Sequence, residues 1–79
     1  MQIFMKTPDT CAATGLKRPT LYEHMAKGLF PRPVKIAAKL AVWPKDEVAQ
    51  INAARVRGAT DDEIRALVIE LTEARKSAV

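Results

Sequence analysis

Pro31 and Pro33, one residue apart, constrain this chain more tightly than any other feature of its sequence. Each proline fixes φ, removes a backbone donor and turns the residue before it away from helical space, so no helix runs through this point. Beyond the prolines the period changes. Val34 and Ile36, then Leu40 and Val42, alternate with Lys35, Lys39 and Ala41. That period of two is the pattern of a two-stranded hairpin, with its tip near Ala37-Ala38-Lys39. Phe30 and Trp43 flank the hairpin and are expected to pack it onto the rest of the molecule as core.

The segment before the prolines is punctuated by glycine. Gln2–Lys6 reads as a short extended lead-in, strand or coil. Thr7-Pro8-Asp9 then opens a helix, with threonine as cap, proline in the first turn and aspartate at the positive dipole end. The helix covers about 8–14 and Gly15 ends it. Leu16 plugs the turn, Pro19 sits in the first turn of a second helix over about 18–27, and Gly28 stops that one. Two helices joined by a short turn containing glycine have the outline of a helix-turn-helix. Cys11 falls where the helices come closest and a small residue is required. Leu21 anchors the second helix, and Met25 lies one turn beyond on the same face.

The outward face of the second helix then presents Arg18, Pro19, Tyr22, Glu23 and Lys27, with Lys17 at its start. In such a motif this face enters a DNA major groove with its N-terminal residues nearest the bases. A hairpin beside the motif is a wing, and its tip carries Lys39 toward phosphates or the minor groove. Charge placement agrees. Residues 1–45 hold eight basic side chains against two acidic ones, a net +6, whereas residues 46–79 hold five against seven, a net −2. Such asymmetry concentrates positive potential on one half of the chain.

Each polar candidate also has an ordinary role. Glu23 can accept from a cytosine amino group, or it can pair with Lys27 four residues later. Tyr22 divides between core packing and a backbone contact. His24 is the only histidine and borders the core, and Cys11 is the only cysteine. Neither has the companions that a metal site or an internal disulfide needs, so no metal and no cofactor is expected. There are no paired carboxylates, no Ser/His or Cys/His set and no phosphate-cradling glycine loop, which argues against an enzyme and a small-molecule substrate.

The last third reads as two helices. Pro44 opens the first, with Asp46 and Glu47 in its first turn, Val48, Ile51 and either Ala54 or the stem of Arg55 facing inward, and Gly58 ending it. Thr60-Asp61-Asp62-Glu63 is a capping box that starts the second. Ile64, Leu67, Val68 and Leu71 recur at i, i+3, i+4 and i+7 as an apolar stripe. This stripe either completes the core of its own domain or pairs two protomers as a homodimer. A chain of 79 residues buries only about 60% of its unfolded surface, so it has little core to spare. Apolar runs fall far short of the ~20 residues that span a bilayer. Met1–Lys6 lacks the pattern of a secretory signal, so no membrane association and a cytoplasmic location are expected.

The run Thr14-Gly15-Leu16-Lys17-Arg18, then Thr20-Leu21-Tyr22, then Gly28-Leu29-Phe30-Pro31-Arg32-Pro33-Val34-Lys35 and Val42-Trp43-Pro44, closely resembles the AlpA-type phage and prophage regulators. These are winged helix-turn-helix proteins related to phage excisionases and, more distantly, to MerR-type DNA-binding domains. The resemblance covers about residues 3–57. It implies sequence-specific binding of double-stranded DNA by a transcription regulator, an excision factor or both. Lys17 and Pro19 stand where family members usually carry serine or threonine and a small polar residue, so the second helix is capped differently here. Ala37-Ala38 occupies a wing turn that often holds glycines.

The sequence therefore predicts a mainly α protein with a small β-wing, comprising a winged helix-turn-helix over 1–57 and an amphipathic helix over 58–79. Lys17, Arg18, Pro19, Tyr22 and Glu23 are expected to read bases, and Thr20, Lys27, Arg32, Lys35 and Lys39 to hold phosphates. Arg18 is the foremost base contact, because arginine bidentate to guanine is the commonest specific pairing. Two other roles suit the same motif, an excisionase-type directionality factor and a DNA-packaging protein that marks DNA for a motor.

Overall fold

The computed structural model describes residues 2–77. The elements in chain order are β1 (Phe4–Met5), α1 (Thr7–Thr14), α2 (Arg18–Ala26), β2 (Val34–Ala37), β3 (Leu40–Pro44), α3 (Lys45–Val56) and α4 (Asp61–Arg75). The fold is mainly helical with one small antiparallel sheet, in the order β1-β3-β2. It is a winged helix-turn-helix followed by two C-terminal helices.

The lead-in is a strand. Phe4 pairs with Pro44 and Met5 with Trp43, and the Lys45 amide donates to the Ile3 carbonyl at 2.7 Å. This pairing keeps the chain extended as far as Lys6, which displaces the expected cap. Lys6, not Thr7, is the N-cap residue of α1, and no side chain caps the helix. Thr7 is already helical. The inward face of α1 is also turned by one residue from the expected one. Thr10 is fully buried (0% exposed), while Cys11 is only partly buried against the core. The helix packs on three elements, α2, α3 and β3, so its most enclosed position lies between them and not solely opposite α2.

The second helix begins at Arg18, as expected, with extended Lys17 as its uncapped N-cap and Pro19 in its first turn. It ends in a Schellman motif. Leu29 N–H donates to His24 O at 2.8 Å and Gly28 N–H to Met25 O at 3.2 Å. Gly28 takes φ +75°, a conformation in which a Cβ is strained, and it turns the chain toward the prolines. Leu29, Phe30 and Pro31 then drop straight into the core.

Val34 pairs with Val42 and Lys35 with Ala41, but the next pair is Ala37 with Leu40. Ile36 is therefore an extra residue on its strand, a β-bulge. The bulge breaks the alternation that places Ile36 beside Val34 on one face, and Ile36 is left 49% exposed. The turn is Ala38-Lys39, and its alanine adopts no positive φ. Trp43, Phe30, Leu21, Ile51, Ile64 and Val48 form the fully buried centre. Trp43 meets Phe30 edge-on with ring centroids 6.1 Å apart, as their flanking positions predict.

Pro44 closes β3 and serves as the N-cap residue of α3, whose Val48, Ile51 and Ala54 are buried. Thr60 and Glu63 form the expected capping box, with bonds of 3.2 Å and 2.9 Å. The hydrogen bond from the Thr60 amide, and then that from the Thr60 side chain, hold the Glu63 carboxyl below its usual pKa. Of the four residues expected either to complete the core or to pair protomers, Ile64, Val68 and Leu71 are buried in the chain's own core. Leu67 packs against it, part-buried. Most of the stripe's apolar surface is thus turned into the chain's own core.

Candidate nucleic-acid interface

The inner side of α2 is sealed by Leu21 and Met25, so its remaining side chains are sorted by the 3.6-residue period. Lys17, Arg18, Pro19, Tyr22, Glu23 and Lys27 are exposed, and Thr20 is half-buried. Tyr22, at 49% exposed, belongs to the outer face and contributes no fully enclosed core packing. Arg32, Lys35 and Lys39 are exposed along the link, the wing strand and the wing turn.

Glu23 and Lys27 are joined, Nζ to Oε1, at 2.7 Å across one helical turn. The Lys27 hydrogen bond, and then its charge, hold the Glu23 carboxyl below its ordinary pKa. Both side chains are more than half exposed, so solvent screening leaves the pair a weak one. The ordinary pairing role is thus present in the free protein. Lys17, Arg18, Arg32, Lys35 and Lys39 make no ion pair among the described residues. Their charge is available to an anion.

Several fasteners that the sequence does not advertise hold the link between α2 and the wing. Trp43 Nε1 donates to the Pro31 carbonyl at 2.8 Å. From α4, Arg65 Nε donates to the Lys27 carbonyl at 2.9 Å, and Arg75 Nη2 donates to the Arg32 carbonyl at 2.9 Å. Arg75 also grips the Glu47 carboxylate through two bonds of 2.8 and 2.6 Å. Glu47 is buried, and this bidentate pairing is what satisfies its charge. Only the two prolines hint at these bonds in the sequence, since an extended link leaves its carbonyls without ladder partners.

His24 lies half-buried on the inner flank of α2, its Nδ1 3.3 Å from Arg55 Nη2. Burial first, and the Arg55 charge second, lower its pKa below 6.5, while Glu23 and Asp61 oppose the shift more weakly. A base with a depressed folded-state pKa binds fewer protons folded than unfolded. Its contribution to stability is therefore complete above about pH 6.5 and declines as the pH falls below that value. The urea midpoint is expected to be lower at pH 5.5 than at pH 7.5, with a smaller drop in His24→Gln. Ordinary carboxylates titrate below this window. Equal drops in both proteins would remove His24 as the cause.

No helix among the described residues is long and apolar enough to cross a membrane. None of the described His, Cys, Asp and Glu residues form a group of three or more suited to a metal ion.

Comparison with known proteins agrees with this architecture. A family model described as "Prophage CP4-57 regulatory protein (AlpA)" matches residues 3–56. The chain is similar to the uncharacterized protein ORF88 of Enterobacteria phage P4, 36% identical over 55 residues. That alignment covers 70% of this chain and 62% of the phage protein. No solved structure matches. The matched segment contains the helix-turn-helix, the wing and α3, and the chain belongs to the AlpA family of prophage regulatory proteins.

Proposed function

We propose that this chain is a sequence-specific DNA-binding regulator of prophage genes that inserts α2 into the major groove and sets the wing on the backbone. The observation that carries this reading is the division of α2 into two faces. Leu21 and Met25 fix one in the core, while Arg18, Pro19 and Tyr22 stand free on the other, near the N-terminus that reaches bases in such motifs. Lys17 and Glu23 extend this reading surface. Thr20, Lys27, Arg32, Lys35 and Lys39 are the phosphate contacts, with Lys27 exchanging its weak bond to Glu23 for a phosphate. That exchange also frees Glu23 as an acceptor for a cytosine amino group.

Base and phosphate contacts have different signatures in titration. Arg18→Ala is expected to cost ~1–3 kcal/mol on the preferred site and to relax selectivity at one base pair. Lys39→Ala should weaken preferred and random duplexes alike and reduce the slope of log affinity against log salt by about 1. Equal losses for Arg18→Ala on every duplex would make Arg18 a phosphate contact and take base reading away from the start of α2.

A further inference from the structure

Helix α4 lies outside the segment matched by the family model, yet two of its arginines donate to the backbone that links α2 to the wing. We infer that Arg65 and Arg75 are positioning residues that set the wing relative to the recognition helix, so that α4 tunes DNA affinity without touching DNA. This rests on the DNA-binding reading of α2 and the wing, but its geometric part does not.

The two arginines bracket the link. Arg65 bonds the carbonyl of Lys27, the last residue of the α2 terminus, and its stem lies over Gly28, where an added Cβ would meet Arg65 Cγ at 3.7 Å. Arg75 bonds the carbonyl of Arg32, between the two prolines. Its guanidinium is held in place by the buried Glu47 of α3, so it spans α3, α4 and the link with a single planar fork. Both carbonyls precede or follow a change of chain direction and belong to no ladder or helix bond. A freely pivoting wing would spend only part of its time in the arrangement that meets DNA, and apparent affinity falls by that fraction.

Arginine can serve two acceptors through separate N–H groups, whereas an ammonium is a compact point charge. Arg75→Lys therefore keeps a cation for Glu47 while giving up the Arg32 carbonyl. Arg65→Ala removes the other bracket at a half-exposed site and leaves the core intact. The test uses the full chain, with folding of each variant checked by circular dichroism. In the free protein, 15N relaxation is expected to show order parameters for residues 32–41 falling from about 0.85 toward about 0.6 in the double variant, with α2 unchanged.

With the duplex selected by the wild-type protein, affinity is expected to fall about tenfold, as it would if the competent arrangement were populated about one-tenth of the time. Random duplexes, which meet the same phosphate contacts of the wing, should lose affinity to a similar extent. A folded double variant with unchanged relaxation in the wing overturns the inference whatever DNA does. Unchanged site affinity with a loosened wing also overturns it. Failure of the wild-type protein to bind any duplex would instead defeat the DNA-binding reading and leave the relaxation result standing.

Discussion

Replacing Trp43 by alanine is expected to lower the free energy of unfolding by about 3–5 kcal/mol. The ring is 1% exposed, meets Phe30 edge-on, and donates from Nε1 to the Pro31 carbonyl. Truncation removes all three contributions at once. It leaves a void where β3 joins the helices and strands a buried carbonyl at the start of the wing. A chain of this length has a total stability of about 4–12 kcal/mol, so the loss is a large fraction of the whole. Trp43→Phe separates the terms, because it retains most apolar contact but cannot donate. Its expected cost is about 1–3 kcal/mol, the penalty for an unsatisfied buried acceptor. Urea titration followed by circular dichroism measures both. A Trp43→Ala midpoint close to that of the wild type, at constant slope, would show that the wing is not seated on this ring.

The second large effect concerns charge. Arg75→Met is expected to cost about 3 kcal/mol, because it leaves the Glu47 carboxylate buried and unpaired. The low end of the range for buried pairs applies, since the Arg75 side chain is 22% exposed. The double variant Glu47→Met/Arg75→Met should recover most of the loss, because an apolar pair removes the cost of desolvating two charges. The double-mutant cycle is read from urea midpoints. A double variant no more stable than Arg75→Met would mean that Arg75 acts mainly through the Arg32 carbonyl and not through Glu47.

The wing and the glycine-stopped helices were legible because they rest on backbone chemistry that each residue carries with it. Pro31 and Pro33 exclude helix wherever they stand, Gly28 permits the left-handed turn, and Thr60 with Glu63 supplies its own capping partners. The misplaced details arise from partners distant in sequence. Pairing of Phe4 and Met5 with β3 moves the start of α1 from Thr7's cap to Lys6's. The bulge at Ile36 depends on a register that only the opposite strand defines. Thr10 is enclosed because three elements converge on α1, whereas the sequence suggested one.

The candidate site divides in the same way. That Arg18, Tyr22 and Lys27 share the outer side of α2 follows from the helical period once Leu21 and Met25 face inward. Glu47 looked like an ordinary acid in the first turn of a helix, and its burial depends on an arginine 28 positions away. Arg65 and Arg75 lie outside the buried stripe of α4. Their acceptors are main-chain carbonyls, which every residue possesses, so no residue type marks the contact in advance.

Selection of bound sequences from a pool of random double-stranded DNA, at a fixed salt concentration, tests sequence reading by α2 most directly. The expected result is enrichment of a short motif containing a guanine whose selection is lost in Arg18→Ala. The wild-type protein should bind that motif at least about a thousandfold more tightly than random duplex. Recovery of an unenriched pool, with the same weak affinity for every duplex, would contradict it.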